Sequence, residues 1–296
     1  MGPQDRLDQN STSIPVLAIV APVREEARYL IEWLAYHRVL GISTFLLADN
    51  GGNDTTSALL QELDRHRLVK RFDWRGQSKF QLEFYYQAIH IARSFADGLF
   101  FVDVDEFLRP EGDMSISDVA RTWLADPTVG GVALNWAIHG SSGRQRCDGA
   151  LVIERFTRRA PQEFSGNKHA KTFVRVECCA GPAENPHAIT LDTGRYVDTR
   201  GEDVAWDTSQ GPPLGITTKV VWDMLRVDHF ILKWREEFAA KRARGRLLTA
   251  MRDEDWETYY TFHDRNEVEE PIAAELVQRT KLEMKRITRK LHVGTT

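Results

Sequence analysis

The sequence predicts an α/β fold: a Rossmann-type, mostly parallel sheet with helices on both faces, followed by a mixed second half. Two observations carry that expectation. Apolar runs of β-formers at Ile14–Val23, Thr44–Ala48 and Val69–Trp74 each lead into a segment of helical character. That makes three β-to-α steps within about a hundred residues, the pattern of a right-handed parallel sheet. The third step ends at Leu99–Leu108, LFFVDVDEFL, where Leu99, Phe100, Phe101 and Val102 read as a fully buried strand and Asp103, Asp105 and Glu106 crowd its carboxyl end. Open α/β sheets bind their ligands at that end.

Each element follows in chain order. Residues 1–12 are polar and read as a disordered lead-in. After the strand Ile14–Val23, the segment Arg24–Leu40 carries Ala27, Leu30, Ile31, Leu34 and Ala35 at amphipathic-helix spacing, with Gly41 as its cap. The strand Thr44–Ala48 runs into Asp49-Asn50-Gly51-Gly52-Asn53-Asp54, and Asp54 caps the helix bearing Leu59, Leu60 and Leu63. Lys79–Phe95 is a long helix that Gly98 separates from the acidic strand. Beyond Pro110, Ile116–Leu124 is a short helix capped by Ser115 or Ser117, while Gly131–Ile138, Leu151–Phe156 and Thr172–Glu177 are strands. Residues 192–216, rich in Gly, Pro, Asp and Thr without periodicity, read as a long loop or lid. Trp234–Leu248 and Pro271–Leu291 are the closing helices. No repeat or low-complexity linker intervenes, so 13–110 and 111–268 are two halves of one domain and 269–296 is a C-terminal helix and tail.

Composition narrows the class of protein. A net charge of −4 over 296 residues gives no general attraction to nucleic acid. The run Ile14–Val23 is too short to span a bilayer and lacks a basic region and cleavage site before it. Cys147, Cys178 and Cys179 form neither a disulfide framework nor a metal-type spacing. The expectation is a cytoplasmic protein with reduced thiols.

The acids after the buried strand suggest the chemistry. With Val104 between them, Asp103 and Asp105 aim two carboxylates at one hard cation and leave positions open for phosphate oxygens. The surrounding residues carry a family pattern. Val23-Arg24-Glu25-Glu26 … Leu30-Ile31-Glu32-Trp33-Leu34-Ala35-Tyr36-His37 … Gly41, then Asp49-Asn50, then Phe101-Val102-Asp103-Val104-Asp105-Glu106-Phe107-Leu108 resembles bacterial glycosyltransferases related to families 2 and 92. Trp136 … Gly140-Ser141-Ser142-Gly143, Asn185-Pro186-His187 and His229-Phe230-Ile231-Leu232-Lys233 … Glu237-Phe238 … Lys241 … Arg244-Gly245 fit the same group. The resemblance spans residues 15 to 268 in scattered blocks. It implies a GT-A fold, a nucleotide-diphosphate sugar donor bound by the half 13–110, a glycan or lipid-linked glycan acceptor on the half 111–268, and Mn2+ or Mg2+ on the Asp-x-Asp pair. Two positions depart from the family pattern: Glu25-Glu26 stands where Asn-Glu is usual, and Tyr85-Tyr86 where Tyr-Asn is common.

The resemblance also distributes roles. Asp105 is the direct metal ligand, Asp103 touches ribose or metal, and His229 is a third metal ligand, with His187 its rival; neutral imidazole suits manganese. Arg24, Glu26, Asp49, Gln81 and Lys233 fall at donor-contact positions. Trp136 offers an aromatic face to a sugar ring, and Gly140 lets backbone approach a ligand closely. An inverting transfer needs a carboxylate base within reach of the acceptor hydroxyl; Asp203 and Asp264 are the candidates, with Asp228 a further alternative. The implied activity is metal-dependent hexosyl transfer in bacterial surface polysaccharide assembly.

Two other readings compete. A nucleotidyltransferase or phosphohydrolase could use the same acids, but would carry a Gly-rich phosphate loop where this chain has Pro22-Val23-Arg24-Glu25-Glu26. A non-catalytic nucleotide-sugar-binding scaffold would not need the intact Asp103 and Asp105. Finally, Lys281, Lys285, Arg286, Arg289 and Lys290 crowd the end of Pro271–Leu291, behind an apolar stripe of Ile272, Leu276, Ile287 and Leu291. That end reads as a weak peripheral contact with the anionic inner membrane face.

Overall fold

Seven buried residues, Leu17–Val23 (β1), form a central strand of the sheet. The computed structural model describes residues 14–77, 80–112, 114–144, 149–184, 186–209, 215–244 and 253–292; the expected lead-in at 1–12 lies outside the described residues. From β1 the chain runs through Ala27–Val39 (α1), Thr44–Asp49 (β2), Thr56–Arg65 (α2), Lys70–Asp73 (β3), Gln81–Ala92 (α3) and Gly98–Phe101 (β4). β3, β2, β1 and β4 are neighbours in that order and all parallel. Strand alternation divides the core between the two faces. Ile19, Ala21, Phe45, Leu47 and Phe100 pack with α1 and α2, and Ala18, Val20, Leu46, Ala48, Leu99 and Phe101 pack with α3.

The acidic run is not one strand. β4 stops at Phe101, the chain turns with Glu106 N donating to Asp103 O at 3.0 Å, and it resumes as Glu106–Pro110 (β5) at the far edge of the sheet. The carboxylates of Asp103 and Asp105 cannot continue a buried ladder without partners.

The second half adds Ile116–Ala125 (α4), Val129–Ile138 (β6), Val152–Arg155 (α5), Arg158–Arg159 (β7), Ala170–Arg175 (β8), Cys179–Pro182 (β9), Ile189–Leu191 (β10), Arg195–Val197 (β11), Leu225–His229 (β12), Arg235–Arg244 (α6), Asp253–His263 (α7), Val268–Glu269 (β13) and Ala274–His292 (α8). β8 runs antiparallel between β4 and β6, β12 lies parallel to β6, and β5 closes the far edge antiparallel to β12. The carboxyl ends of β1, β2, β4, β6 and β12 therefore share one side of the sheet.

Several elements differ from the sequence expectation. Leu151–Phe156 is helical at its centre, not a strand, because Glu32 reaches in from α1 and its carboxylate accepts Val152 N and Ile153 N at 3.0 and 3.1 Å. The stretch 192–216 contains β11, which joins β6 in parallel; Val197 and Asp203 form an isolated bridge, and 210–214 lie outside the described residues. The helix expected over Trp234–Leu248 is described only as α6, residues 245–248 lying outside the described residues, and α7 was not foreseen. α8 docks on α1 through Val277, Thr280 and Ile287, with Arg38 Nε to Glu283 Oε1 at 2.8 Å. Among the described residues no helix is long and apolar enough to cross a membrane.

Candidate active site

The turn after β4 places three carboxylates beside the ends of β6 and β12 and the start of β8. Asp105 faces β12: its Oδ1 lies 3.6 Å from His229 Nε2, and its carbonyl accepts Phe230 N at 2.9 Å. Asp103 faces β8: its Oδ2 accepts from Lys171 Nζ at 2.8 Å, and its backbone N donates to Glu106 Oε2 at 2.7 Å. Lys171 Nζ is also 3.3 Å from Glu106 Oε2, and both side chains are buried, at 1% and 0% exposure. Burial raises the Glu106 carboxyl above its ordinary range, while the Lys171 charge opposes the rise and Asp103 and Asp105 add to it. Burial works against the Lys171 charge, but Asp103 and Glu106 outweigh it and hold the ammonium well above its ordinary range.

Trp136 lies on β6, facing this cluster. His169 stacks on the indole with centroids 4.8 Å apart and planes 15° apart, and His229 and His187 meet it edge-on at 4.3 and 5.4 Å. One indole face is thus taken by protein, so a sugar ring cannot use that face. Among the described residues, buried Trp136 Nε1 has no hydrogen-bond partner. Burial, with Lys171, His169 and His229 adding, keeps His187 well below the ordinary imidazole value.

A second group forms where β1 and β12 end. Lys233 Nζ lies 3.6 Å from Glu26 Oε2 and 3.8 Å above the Tyr29 ring. Glu25 and Lys233 both adopt left-handed backbone, with φ of 54° and 57°. Such conformations in residues other than glycine cost on the order of 1–3 kcal/mol and gather at functional sites. Glu26 N donates to Thr56 Oγ1 at 2.8 Å, tying the β1 turn to α2, and Arg24 is half-buried beside it.

The remaining expected residues are placed as follows. Asp49 is fully buried and its oxygens are engaged by Arg71 (2.7 and 2.8 Å), Ser57 Oγ (2.8 Å) and Gly51 N (2.9 Å). Gln81 Nε2 donates to Tyr85 at 3.0 Å inside the α3 core. At Gly140 an added Cβ would meet Arg265 O at 2.3 Å, so this glycine accommodates the 264–266 loop. Asp264 Oδ1 accepts from Ser141 N (2.7 Å) and Asn266 Nδ2 (2.8 Å) in that loop, beyond the carboxyl end of β6. Asp203 pairs with Arg195 at 2.6 Å, toward the amino end of β6 where Arg195 meets Val129, and is not brought to the acidic turn. Asp228 is wholly buried; burial alone would raise its carboxyl, but Arg226, His139 and Arg109 hold it well below the usual range.

Asp105 and His229 could supply an oxygen and a nitrogen to a divalent cation that takes the rest of its shell from a ligand. Asp105 and His229 are close enough to share one ion, and among the described residues no group of three or more His, Cys, Asp or Glu side chains could hold a metal. A shell completed by phosphate oxygens is the usual arrangement for magnesium. Sequence reasoning missed Lys171, His169 and the burial of Glu106. A lysine inside the strand run Ala170–Arg175 was the available signal, but only the β4–β8 register, Phe101 opposite Thr172, brings it to the acids.

Comparison with known proteins is consistent over most of the chain. Residues 15–289 match Glycosyltransferase family 92. A family 92 protein of Oryza sativa subsp. japonica is 26% identical over 251 residues, covering 81% of this chain and 41% of that protein. One from Ricinus communis is 34% identical over 253 residues, covering 78% of this chain and 41% of its own length. The chain thus spans about two fifths of the curated relatives it matches. Among solved structures, S. aureus TarS 1-349 in complex with UDP-GlcNAc aligns with a TM-score of 0.36 and 14% identity over 55% of this chain and 46% of that one. GalNAc-T7 with UDP, GalNAc and Mn2+ aligns with a TM-score of 0.32 and 13% identity over 43% and 24%.

Proposed function

Because the chain belongs to glycosyltransferase family 92, we propose that it moves a hexosyl group from a nucleotide-diphosphate sugar to a hydroxyl of a glycan or lipid-linked glycan, with inversion and with Mn2+ or Mg2+. The approach of His229 to Asp105 at the carboxyl end of the sheet carries this reading, because it supplies an imidazole and a carboxylate for one cation where a diphosphate can complete the shell. Asp105 and His229 would hold the cation, which would supply positive charge to neutralise that developing on the leaving diphosphate. Lys233, above Tyr29 and beside Glu26, is the basic group for the donor, with Arg24 on the neighbouring turn. The Trp136 edge, between His187 and His229, borders the sugar position. Asp264 is the base we favour, since it lies with the carboxyl end of β6 while Asp203 lies toward the amino end. The setting we propose is bacterial surface polysaccharide assembly, on the cytoplasmic membrane face.

Thermal-shift screening of nucleotide sugars, with and without Mn2+, tests the proposal. A ligand bound only by the native state raises the melting temperature. One donor that stabilises the protein only with metal, and releases nucleoside diphosphate when an acceptor is added, is the expected result. Stabilisation by nucleoside triphosphates with release of pyrophosphate would favour nucleotidyl transfer instead.

A further inference from the structure

Lys171 is a charged side chain that the proposed reaction does not use. It sits on β8, one residue past the pairing of Phe101 with Thr172, so its side chain enters the space that opens where β4 gives way to the acidic turn. It is buried at 1% exposure, with Nζ 2.8 Å from Asp103 Oδ2 and 3.3 Å from Glu106 Oε2. Glu106 Oε2 in turn accepts the Asp103 backbone N at 2.7 Å, so ammonium, both acids and the turn form one closed unit. Asp105 stands outside it and faces His229.

An ammonium is withdrawn from water only where carboxylates compensate it. Here the compensation is lopsided: of three acids in four residues, two share the lysine and one does not. Two negative neighbours without a positive charge would compete with Asp105 for any divalent cation, since carboxylate oxygens are its preferred ligands.

We infer that Lys171 is a positioning residue that withdraws Asp103 and Glu106 from the metal shell, leaving Asp105 and His229 as the protein ligands of the cation. Asp103 then serves as the lysine's partner and fixes the turn that presents Asp105. This inference rests on the glycosyltransferase reading above, and it departs from the sequence expectation that Asp103 itself binds metal.

The test is Mn2+ binding by electron paramagnetic resonance and calorimetry, with and without UDP, on the full chain. With UDP, D105N and H229A are expected to weaken Mn2+ binding at least ~10-fold, as loss of a ligand does, while D103N stays within about 3-fold of wild type. Without UDP, K171M is expected to tighten Mn2+ binding ~10-fold, because two carboxylates lose their countercharge. K171R should restore the wild-type value. A purely structural lysine would give K171M no gain in affinity. If K171M does not fold, the contrast between D103N and D105N decides alone. A D103N loss as large as that of D105N, or a folded K171M whose affinity is unchanged or weaker, overturns the inference while leaving the transferase reading standing. Wild-type protein that binds no Mn2+ even with UDP overturns both.

Discussion

His169 lies flat against Trp136, its ring 4.8 Å from the indole and tilted by only 15°, so two aromatic side chains from adjoining segments of the second half form one slab. The slab adjoins His229, whose ring lies with its centroid 4.3 Å from that of the indole and its plane at 61°. Trp136→Ala should cost about 3–5 kcal/mol by chemical denaturation, as deletion of a buried aromatic does. Trp136→Phe, which keeps a ring against both histidines, should cost clearly less, and its UDP-dependent Mn2+ affinity should stay nearer wild type.

Asp105→Asn removes the carboxylate nearest His229. Turnover should fall by ~10²-fold or more if the cation stabilises charge in the transition state. The circular dichroism spectrum and melting temperature without ligand should change little. Normal turnover in this variant would rule out Asp105 as a ligand.

Glu32 gives the fold a pH dependence away from the acidic turn. Burial raises its carboxyl from about 4.5 to about 7, although Val152 N, Ile153 N, Arg155 and Lys233 all favour the charged form. A folded value above the unfolded one means that the stabilisation is complete below pH 4.5 and is lost as pH rises through 7, a change on the order of 3 kcal/mol. Urea titrations of wild type and Glu32→Gln, which mimics the neutral acid, should run together near pH 4.5 and separate as pH rises through 7, wild type losing stability that the variant keeps. Parallel curves would show that Glu32 does not titrate there.

The β5–β12 edge holds a buried charge network. Arg226, at 3% side-chain exposure, contacts Asp228 (2.8 Å), Glu111 (2.9 Å) and Glu270 (2.5 Å), and Arg109 also reaches Asp228 at 3.1 Å. Arg226→Met removes the buried cation that joins these acids, leaving Asp228 to Arg109 and His139, and should cost about 3–5 kcal/mol. The loss is to be read as a lower urea midpoint with an unchanged slope.

On α8, Lys285, Arg286, Arg289 and Lys290 are exposed, while Lys281 is held by Glu154 at 2.5 Å and the apolar Val277 and Ile287 are buried in the domain. Leu282 is exposed on the same helix, but one apolar side chain is a small face to insert, so membrane contact here is chiefly electrostatic, worth about 1 kcal/mol per basic residue near the surface. Sedimentation with anionic vesicles should show weak binding that salt abolishes and that substitution of these four residues removes. Binding that survives both would point to another surface.

The first half was legible because its hydrophobic periods are clean: buried runs and helical stripes alternate from Ile14 to Phe101, and the strand ends mark the ligand side. The second half was less so, and for identifiable reasons. Leu151–Phe156 has the apolar makeup of a strand but turns into helix because Glu32, far away in sequence, caps its amides. The acids at Asp103 and Asp105 were visible, but their different neighbours, Lys171 and His229, are brought near only by the sheet register. Asp49 illustrates the same limit: its place at a strand end was apparent, whereas its engagement by Arg71 and Ser57 was not.

The docking of α8 on α1 has a consequence for how the chain is made. A ribosome releases α1 early and α8 near the end of the described chain, so the face of α1 that receives α8 stays uncovered while the whole intervening sheet is synthesised. At roughly 5–20 residues per second that interval is on the order of ten to fifty seconds, long compared with hydrophobic collapse. The nascent chain therefore presents an open helix face that must be shielded or transiently filled, and the Arg38–Glu283 contact marks the moment when that exposure ends.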